Sequence, residues 1–383
     1  MSQSLLQVGS IVKARPLFQE SALVNGTILM AKNNKYFIKF HNQDPRLSDW
    51  FTSSQVQFVS TPSPEFQKPQ IYDIRNINYV IFGQYKIKCW YFSPYPPPYN
   101  ELNEIFVCPR CLKYKKIEES ANHIKYCIKA PVGVRIYQDK LISLYEVDGR
   151  FEKLFCQFLC LFSKMFLDSK MLYYNVDHFL FYVMTVNDEI VGYFSKEKLE
   201  RNVLSCILTF PNYLQQGIGY HLIDFAYMLA KVENRIAGPE EPLSDLGEKS
   251  FFKYWKIKVL ECIIQRSDEY FTSKKYPIKS NENSDSDNEN DKKRKNDNRF
   301  YISLCDVSNE TSILVKHVQQ VIDLLPFRLK RGTDVGISQS LLHVLRGKLD
   351  ELKAPKFNIQ AHKIDMANLT WECYPCMFQG PRE

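Results

Sequence analysis

Apolar and polar residues alternate in short runs over residues 1–60. Residues 8–14, 25–31 and 35–41 are rich in β-branched and aromatic side chains, and Asn25-Gly26 and Asn33-Asn34 supply turn signals. Short strands joined by tight turns are typical of a small β-barrel. The stretch that follows, residues 61–72, is polar and rich in proline, which predicts a linker.

The remainder of the chain mixes strand-like and helix-like patterns. The predicted strands cover residues 79–92, 135–147, 179–185 and 190–194. The predicted helices cover residues 151–166, 250–265 and two short segments after residue 301. Cys156 and Cys160 lie in the most apolar of these helices, so we expect them to be core residues. This mixture predicts an α+β fold.

One stretch, residues 201–247, combines a strand, a glycine turn and a helix. Its first part is apolar and β-prone and ends at Pro211, and Gly217 and Gly219 then open a helical pattern. Free N–H groups at the start of a helix, together with the helix dipole, form a site for an anion such as a pyrophosphate. On the glycines alone, an ordinary tight turn is the simpler interpretation.

Three cysteines and a histidine have the spacing of a zinc site. Cys108 and Cys111 form a C-x2-C pair, eleven residues separate Cys111 from His123, and Cys127 lies four positions after His123. A cysteine turn followed by a helix that presents His and Cys on one face supplies four tetrahedral ligands. Because all four ligands come from the protein, the predicted zinc site is structural.

Composition narrows the class of protein. The chain has 383 residues, 45% of them apolar, which is enough for two or three domains with real cores. We expect no membrane span and no signal peptide, so the eleven cysteines are expected to be thiols and metal ligands. The net charge of +7 favours acidic or phosphate-bearing partners.

A biased segment, residues 272–299, is predicted to be a disordered insertion. Its first half is acidic and its second half contains the basic cluster Lys292–Lys295. Two interpretations of the cluster remain open. It is either a functional basic segment, acting as a nuclear import signal or a nucleic-acid contact, or simply a solvated loop.

Several short sequence motifs occur in the order in which a known protein family has them. Cys206–Thr209, Gly217-x-Gly219 and Gly238–Gly247 resemble the acetyl-CoA-binding core of the MYST histone acetyltransferases. The resemblance implies that Glu240 is a general base and that Cys206 is the active-site cysteine. It implies acetyl-CoA contacts from Ile207, Leu208, Thr209, Gln215, Gln216, Gly217, Ile218, Gly219, Tyr220, His221 and Ser244.

The resemblance extends beyond this core. Ile74-Arg75-Asn76 and Trp90–Pro96 resemble the start of the MYST catalytic domain, and residues 106–128 resemble its C2HC zinc finger. The motif around Lys170 resembles the family motif that carries a self-acetylated lysine, which would be Lys170 here. The implied organisation is a chromo-barrel-like domain at 1–60, an acetyltransferase domain at 73–262 with a GNAT-like mixed-sheet core at 200–247, and a helical, helix-turn-helix-like part at 263–383.

The N-terminal aromatic residues have three interpretations. The word Arg46-Leu47-x-x-Trp50 resembles a chromo-barrel, in which Tyr36, Phe40 and Trp50 would form a methyl-lysine pocket. Aromatic residues more often fill the core of a small barrel, and we favour that interpretation. Nucleic-acid binding through Lys32, Lys35 and Lys39 is the third.

Two functions remain open at this stage. The first is a nuclear enzyme that acetylates histone tails on nucleosomes, works with accessory subunits and contacts DNA or RNA through the N-terminal domain or Lys292–Lys295. The second is an acetyltransferase-like scaffold of a chromatin complex. Leu214, Gln215 and Tyr220 favour this second function, because they occupy positions at which the family has glutamine, arginine and lysine. Without the arginine and the lysine, two charged side chains that would bind the cofactor phosphates are missing.

Overall fold

A computed structural model describes residues 6–16, 23–64, 66–70, 74–127, 132–168, 170, 174–275, 299–325, 330–331, 334–353 and 362–371. The chain forms two compact units, residues 1–132 with 152–176 and residues 133–151 with 177–383. The basic cluster Lys292–Lys295 and most of the predicted insertion lie outside the described residues. Within the described part, no helix is long and apolar enough to cross a membrane.

The first unit begins with an antiparallel sheet. Its strands are β1 (Ile11–Ala14), β2 (Val24–Lys32), β3 (Lys35–Phe40), β4 (Asp49–Thr52) and β5 (Gln57–Ser60), in the order β4-β3-β2-β1-β5. Alternate residues face a small core of Val12, Ala14, Ile28, Tyr36, Ile38, Phe40 and Phe51. The strands predicted from the alternating pattern are confirmed.

The three N-terminal aromatic residues do not line one pocket. Tyr36 and Phe40 are buried in the core, as the favoured interpretation predicted. Trp50 pairs with Phe37 across β3 and β4, with ring centroids 5.5 Å apart, and so lies on the opposite face of the sheet. The methyl-lysine pocket built from these three residues is therefore wrong, because side chains alternate between the faces of a strand.

A second sheet in the first unit carries the zinc-finger region. It has the order β7-β6-β8-β9, with β6 (Tyr79–Phe82), β7 (Tyr85–Lys88), β8 (Glu104–Val107) and β9 (Tyr114–Lys115). Two helices follow, α1 (Ser120–Tyr126) and α2 (Lys153–Lys164). Cys156 and Cys160 of α2 are fully buried, which agrees with the core role predicted for them.

A buried ion cluster connects the two sheets of this unit. The Asp49 carboxylate on β4 forms salt bridges with Arg75 and with Lys88 on β7. The Arg75 guanidinium also donates to the Ser48 carbonyl oxygen at 2.8 Å and to the Asn78 amide oxygen at 2.9 Å. These contacts fix the N-terminal sheet to the zinc-finger region. The sequence predicts only a linker between them, at residues 61–72.

The second unit is built on a five-stranded antiparallel sheet. Its strands follow chain order, β10 (Val134–Gln138), β11 (Ile142–Asp148), β12 (Phe179–Val186), β13 (Glu189–Glu197) and β14 (Cys206–Thr209). Helices α3 (Ile218–Val232) and α4 (Asp245–Lys275) share one large apolar core with the sheet. The predicted hairpin and the strand–turn–helix of residues 201–247 are confirmed.

Helix α4 is longer than predicted. It runs through residue 262, so the boundary predicted there falls inside one helix, and residues 272–275 belong to the helix rather than to the insertion. The reason is packing, because Ile263 is fully buried and Ile264 and Phe271 contact the same core.

The C-terminal part adds a small sheet and three helices to this core. Its elements are β15 (Phe300–Ser303), α5 (Leu304–Thr311), α6 (Val315–Asp323), β16 (Lys330–Arg331), β17 (Asp334–Ile337) and α7 (Gln339–Lys353). The predicted pair of short helices is α5 and α6, separated by a turn at Ser312, whose φ is +62°. Residues 362–371 return to β10, where the Thr370 N–H donates to the Ile136 carbonyl oxygen at 2.8 Å.

Gly192 on β13 of the five-stranded sheet should not tolerate a side chain. A Cβ atom there would lie 2.6 Å from the Leu208 carbonyl oxygen on β14. We expect Gly192→Ala to lower the free energy of unfolding by about 1–3 kcal/mol, measured by urea denaturation. At Gly347, on the exposed side of α7, an added Cβ atom would meet no other atom within 4 Å, so Gly347→Ala should raise stability by about 1 kcal/mol. Equal stability of Gly192→Ala and the wild type would contradict this account of β13 and β14.

Candidate active site and metal centre

The four predicted zinc ligands lie together. Cys108 and Cys111 flank a turn at the end of β8, in which the Leu112 N–H donates to the Cys108 carbonyl oxygen at 2.9 Å. His123 lies on α1, and Cys127 directly follows that helix. The ligand atoms of all four residues lie within 4.8 Å of one another.

The spacing of these atoms fits zinc. The sulfur atoms of Cys108 and Cys127 are 3.7 Å apart, and the Cys111 sulfur is 3.4 Å from Nε2 of His123. Zinc–sulfur bonds of about 2.3 Å in a tetrahedron place two sulfur atoms about 3.8 Å apart. The three cysteines are buried with Phe106, so the site joins the β8–β9 turn to α1 and is structural.

The glycine turn lies between β14 and α3. Gly217 caps α3 with φ +91°, a conformation that favours glycine, and Gln215 before it has φ +64°. The first N–H groups of α3 have no partner within the helix and point towards the turn. A Cβ atom on Gly219 would lie 3.4 Å from the Thr209 hydroxyl, so the end of β14 and the start of α3 are in close contact.

Two of the side chains predicted to bind the cofactor face the interior instead. His221 is 1% exposed. Tyr220 packs against Tyr254 of α4, with ring centroids 5.4 Å apart. Lys258 of α4 lies over the Tyr220 ring but is paired with Asp224 at 2.9 Å. Residues 218, 221 and 222 share the buried face of α3, so the His221 side chain is turned away from the turn, while the half-buried Tyr220 ring lies against α4.

The remaining predicted residues of this region occupy the strand and the turn. Leu208 is buried in the sheet, while Ile207 and Thr209 are half-buried and Gln215 is exposed. Gln216 donates to the Asn212 carbonyl oxygen at 3.4 Å, and Ile218 is buried. Ser244 is exposed, and its hydroxyl accepts from the Gly247 N–H at 3.2 Å, so it acts as a cap of α4.

Backbone pairing holds the Glu240 segment beside the residues that precede Cys206. The Glu240 N–H donates to the Leu204 carbonyl oxygen at 3.0 Å, and the Val203 N–H donates to the Gly238 carbonyl oxygen at 2.8 Å. Cys206 begins β14 two residues after Leu204. The predicted approach of residues 206 and 240 therefore has a structural basis in this short backbone pairing.

The two neighbouring glutamates differ in their partners. Glu241 accepts from Lys316 at 2.8 Å and lies 3.2 Å from Nε2 of His317, and these contacts hold the pKa of its carboxyl below the usual range. Glu240 is exposed, and in the described part of the chain its carboxylate has no ion pair. Of the two glutamates, only Glu241 is thus fixed by charged and polar side chains among the described residues.

The structure adds two residues to the region that the sequence did not identify. The Tyr193 hydroxyl on β13 lies 3.6 Å from the Cys206 sulfur, and His317 on α6 contacts Glu241. Neither belongs to a recognisable motif, because both reach the region through strand pairing or helix packing. Lys170 is half-buried in the first unit, and its neighbours at 169 and 171–173 lie outside the described residues.

Comparison with known proteins gives two family matches. Residues 130–325 match the MOZ/SAS family, and residues 74–127 match the MYST family zinc finger domain. The relative named histone acetyltransferase mst2, from Schizosaccharomyces pombe, is 46% identical over 226 residues, which cover 57% of this chain and 53% of mst2.

Two further relatives give similar values. Histone acetyltransferase esa-1 from Neurospora crassa is 43% identical over 219 residues, covering 55% of this chain and 43% of esa-1. Histone acetyltransferase KAT6A from Homo sapiens is 42% identical over 229 residues, covering 58% of this chain and 11% of KAT6A. The matched region thus spans about half of these relatives, or much less.

Removal of one zinc ligand should destabilise the first unit. Zinc binding and folding are coupled at such sites, and the free energy of zinc binding is about 10–16 kcal/mol in isolated zinc-finger peptides. We expect one zinc per chain by elemental analysis of protein purified without chelators, and Cys111→Ser should lose the metal and lower the melting temperature. Cys305→Ser, at an exposed cysteine, should change neither property. Metal-free wild-type protein would refute the site.

Proposed function

The chain belongs to the MOZ/SAS family, and from this membership we propose that it is a lysine acetyltransferase that uses acetyl-CoA. The observation that carries the proposal is the Glu240 carboxylate, which has no ion pair among the described residues and whose backbone is hydrogen-bonded beside the start of β14, while the glycine turn follows the end of that strand. A base and an anion site at the two ends of one short strand suit acyl transfer from a phosphate-bearing donor to an amine.

Backbone groups supply most of the proposed acetyl-CoA site. The N–H groups of Gly217, Ile218 and Gly219 would receive the pyrophosphate at the start of α3. Among the described strands, β14 is the last of its sheet, so one edge of Ile207–Thr209 is open to a bound molecule. Acetyl-CoA supplies an acyl thioester, and Cys206 and Tyr193 would line the side on which its carbonyl lies.

Glu240 would act as the general base. A lysine amine has a pKa near 10.4, so fewer than about one amine in a thousand is neutral at pH 7. The Glu240 carboxylate takes the proton while the amine nitrogen attacks the acetyl carbon, and the carbon–sulfur bond of the thioester then breaks. We favour this direct attack over transfer through an acetylated Cys206, which would require an activated thiolate.

The names of the relatives suggest the substrate. mst2, esa-1 and KAT6A are named histone acetyltransferases, and we propose histone tails on nucleosomes as substrates of this chain as well. We propose in addition that the protein works in the nucleus together with accessory subunits. Residues 1–60 would act as a chromo-barrel-like domain, and Lys170 would be self-acetylated. Lys13, Lys32, Lys35 and Lys39 are exposed on the N-terminal sheet and, with Lys292–Lys295, would contact DNA or RNA. Labelled acetyl-CoA with free histones and with nucleosomes tests the substrate directly.

A catalytically weakened scaffold is the second candidate function. Its support is the glycine turn, where Gln215 carries no charge and Tyr220 faces α4. Without a side-chain cation, the turn relies on backbone N–H groups to hold a pyrophosphate. The two candidates therefore differ in whether the isolated chain binds acetyl-CoA.

The glycine turn should be essential for acetyl-CoA binding. Gly219→Glu places bulk against Thr209 and a negative charge where the phosphates would lie, so binding should fall below detection in calorimetry. Gly347→Glu makes the same exchange on the open side of α7 and should bind as the wild type does. Unchanged affinity in Gly219→Glu would reject this turn, and no binding by the wild type would favour the scaffold.

Loss of the base should reduce turnover without loss of the cofactor. We expect Glu240→Gln to lower kcat about a hundredfold or more with the acetyl-CoA Kd unchanged, while Glu248→Gln, at an exposed position of α4, behaves as wild type. The deficit should shrink as pH approaches the amine pKa, because solvent then removes the proton. Cys206→Ala should cost less than Glu240→Gln. An acetylated Cys206 trapped by mass spectrometry, with ping-pong kinetics, would contradict direct attack.

A further inference from the structure

The segment that carries the two glutamates, residues 237–241, is held from two sides. On one side, Glu240 and Gly238 pair with Leu204 and Val203. On the other side, the Ala237 N–H donates to the Ser312 carbonyl oxygen at 3.0 Å, and Ala237 forms a β-bridge with Ile313. The turn before α6 is therefore part of the support of the segment.

The His317 ring on α6 is immobilised behind this segment. The residue is 2% exposed, and its ring stacks on Trp255 of α4 with centroids 3.9 Å apart and planes 14° apart. The Trp255 indole N–H donates in turn to the Tyr227 hydroxyl on α3 at 2.8 Å. Three helices thus determine where the imidazole lies.

Each side of the imidazole meets the segment differently. Nε2 lies 3.2 Å from a carboxylate oxygen of Glu241. Near Cε1 and Nδ1 the segment has a glycine, and a Cβ atom on Gly238 would lie 2.9 Å from Cε1. In the described part of the chain Nδ1 is buried without a hydrogen-bond partner. The ring therefore fits against bare backbone on one side and binds one carboxylate on the other.

These contacts define the protonation of the ring. An ionised carboxylate only accepts hydrogen bonds, so Nε2 must carry the proton that points at Glu241. Burial lowers the pKa of His317, which keeps the ring neutral and leaves a lone pair on Nδ1. The single donor of a buried, neutral ring is thus committed to Glu241.

We propose that His317 is a positioning residue for Glu240. It holds Glu241 against α6 and packs on Gly238, so the intervening backbone can turn only the Glu240 side chain towards the substrate. This inference rests on the proposed function, in which Glu240 is the base. It explains how one of two adjacent and chemically equal carboxylates is selected.

Lys316 provides a matched control because it contacts the same carboxylate oxygen. Its side chain is 56% exposed, whereas that of His317 is 3% exposed. Water can replace the Lys316 contact, and exposed ion pairs contribute little to structure. Loss of the buried donor at His317 leaves Glu241 only the exposed Lys316 contact, which does not fix its carboxylate against the core.

The test compares two substitutions of similar size at His317. His317→Leu fills the space without a donor, and His317→Gln keeps an N–H near the position of Nε2. We expect His317→Leu to lower kcat about tenfold or more with the acetyl-CoA Kd within about twofold, and His317→Gln to recover most of the loss. Lys316→Ala should retain wild-type kcat. Equal kcat in His317→Leu and the wild type would overturn the proposal.

Hydrogen exchange of full-length protein supplies a measurement that does not depend on activity. The Ala237 and Glu240 amides should exchange about tenfold faster in His317→Leu than in the wild type or Lys316→Ala, while α3 amides stay protected. Unchanged exchange at residues 237–241 would also overturn the proposal. If wild-type protein binds acetyl-CoA but transfers no acetyl group, the proposed function fails, and the exchange result alone decides whether His317 anchors the segment.

Discussion

The backbone pairing of residues 203–204 with residues 238–240 is the constraint on which the candidate active site depends. Two hydrogen bonds tie the segment that follows α3 to the residues that precede β14. Every other part of the site is then fixed by continuity of the chain, because β14 leads to the glycine turn and α3 leads back to Glu240. Loss of this pairing would remove the contact that holds Glu240 beside the start of β14.

Apolar packing surrounds this polar pairing. Helices α3, α4 and α6 share one core with the central sheet, and the stacked rings of Trp255 and His317 connect that core to the glutamate segment. Tyr220 belongs to the same packing, since its ring lies against Tyr254. A position where the resembling family has a lysine is used here to join α3 to α4.

The first unit is stabilised in a different way from the second. Among the described residues, its N-terminal sheet has a core of seven buried apolar side chains, and modules with small cores often need additional cross-links. The Cys3His cluster joins the β8–β9 turn to the short helix α1, and the ion cluster of Asp49, Arg75 and Lys88 joins the sheets to each other. Because both partners of the Arg75–Asp49 pair are buried, loss of either would leave an uncompensated charge.

Local patterns in the sequence determined the parts that depend on neighbours along the chain. The alternating strands of residues 11–60, the C-x2-C turn with its following helix, and the strand–glycine–helix order of residues 201–232 were all predictable, because period and turn chemistry are local properties. The approach of Glu240 to Cys206 was predicted only as a requirement, without the backbone contacts at residues 203 and 204.

Only the tertiary structure decided which side chains face the site. Tyr220 and His221 belong to the same sequence word as Gly217 and Gly219, but helix packing turns their side chains inwards. The difference between Glu240 and Glu241 arises from His317 and Lys316, which lie more than seventy positions away. Which residues are brought together across such separations depends on the packing of whole elements, and no local pattern encodes that packing.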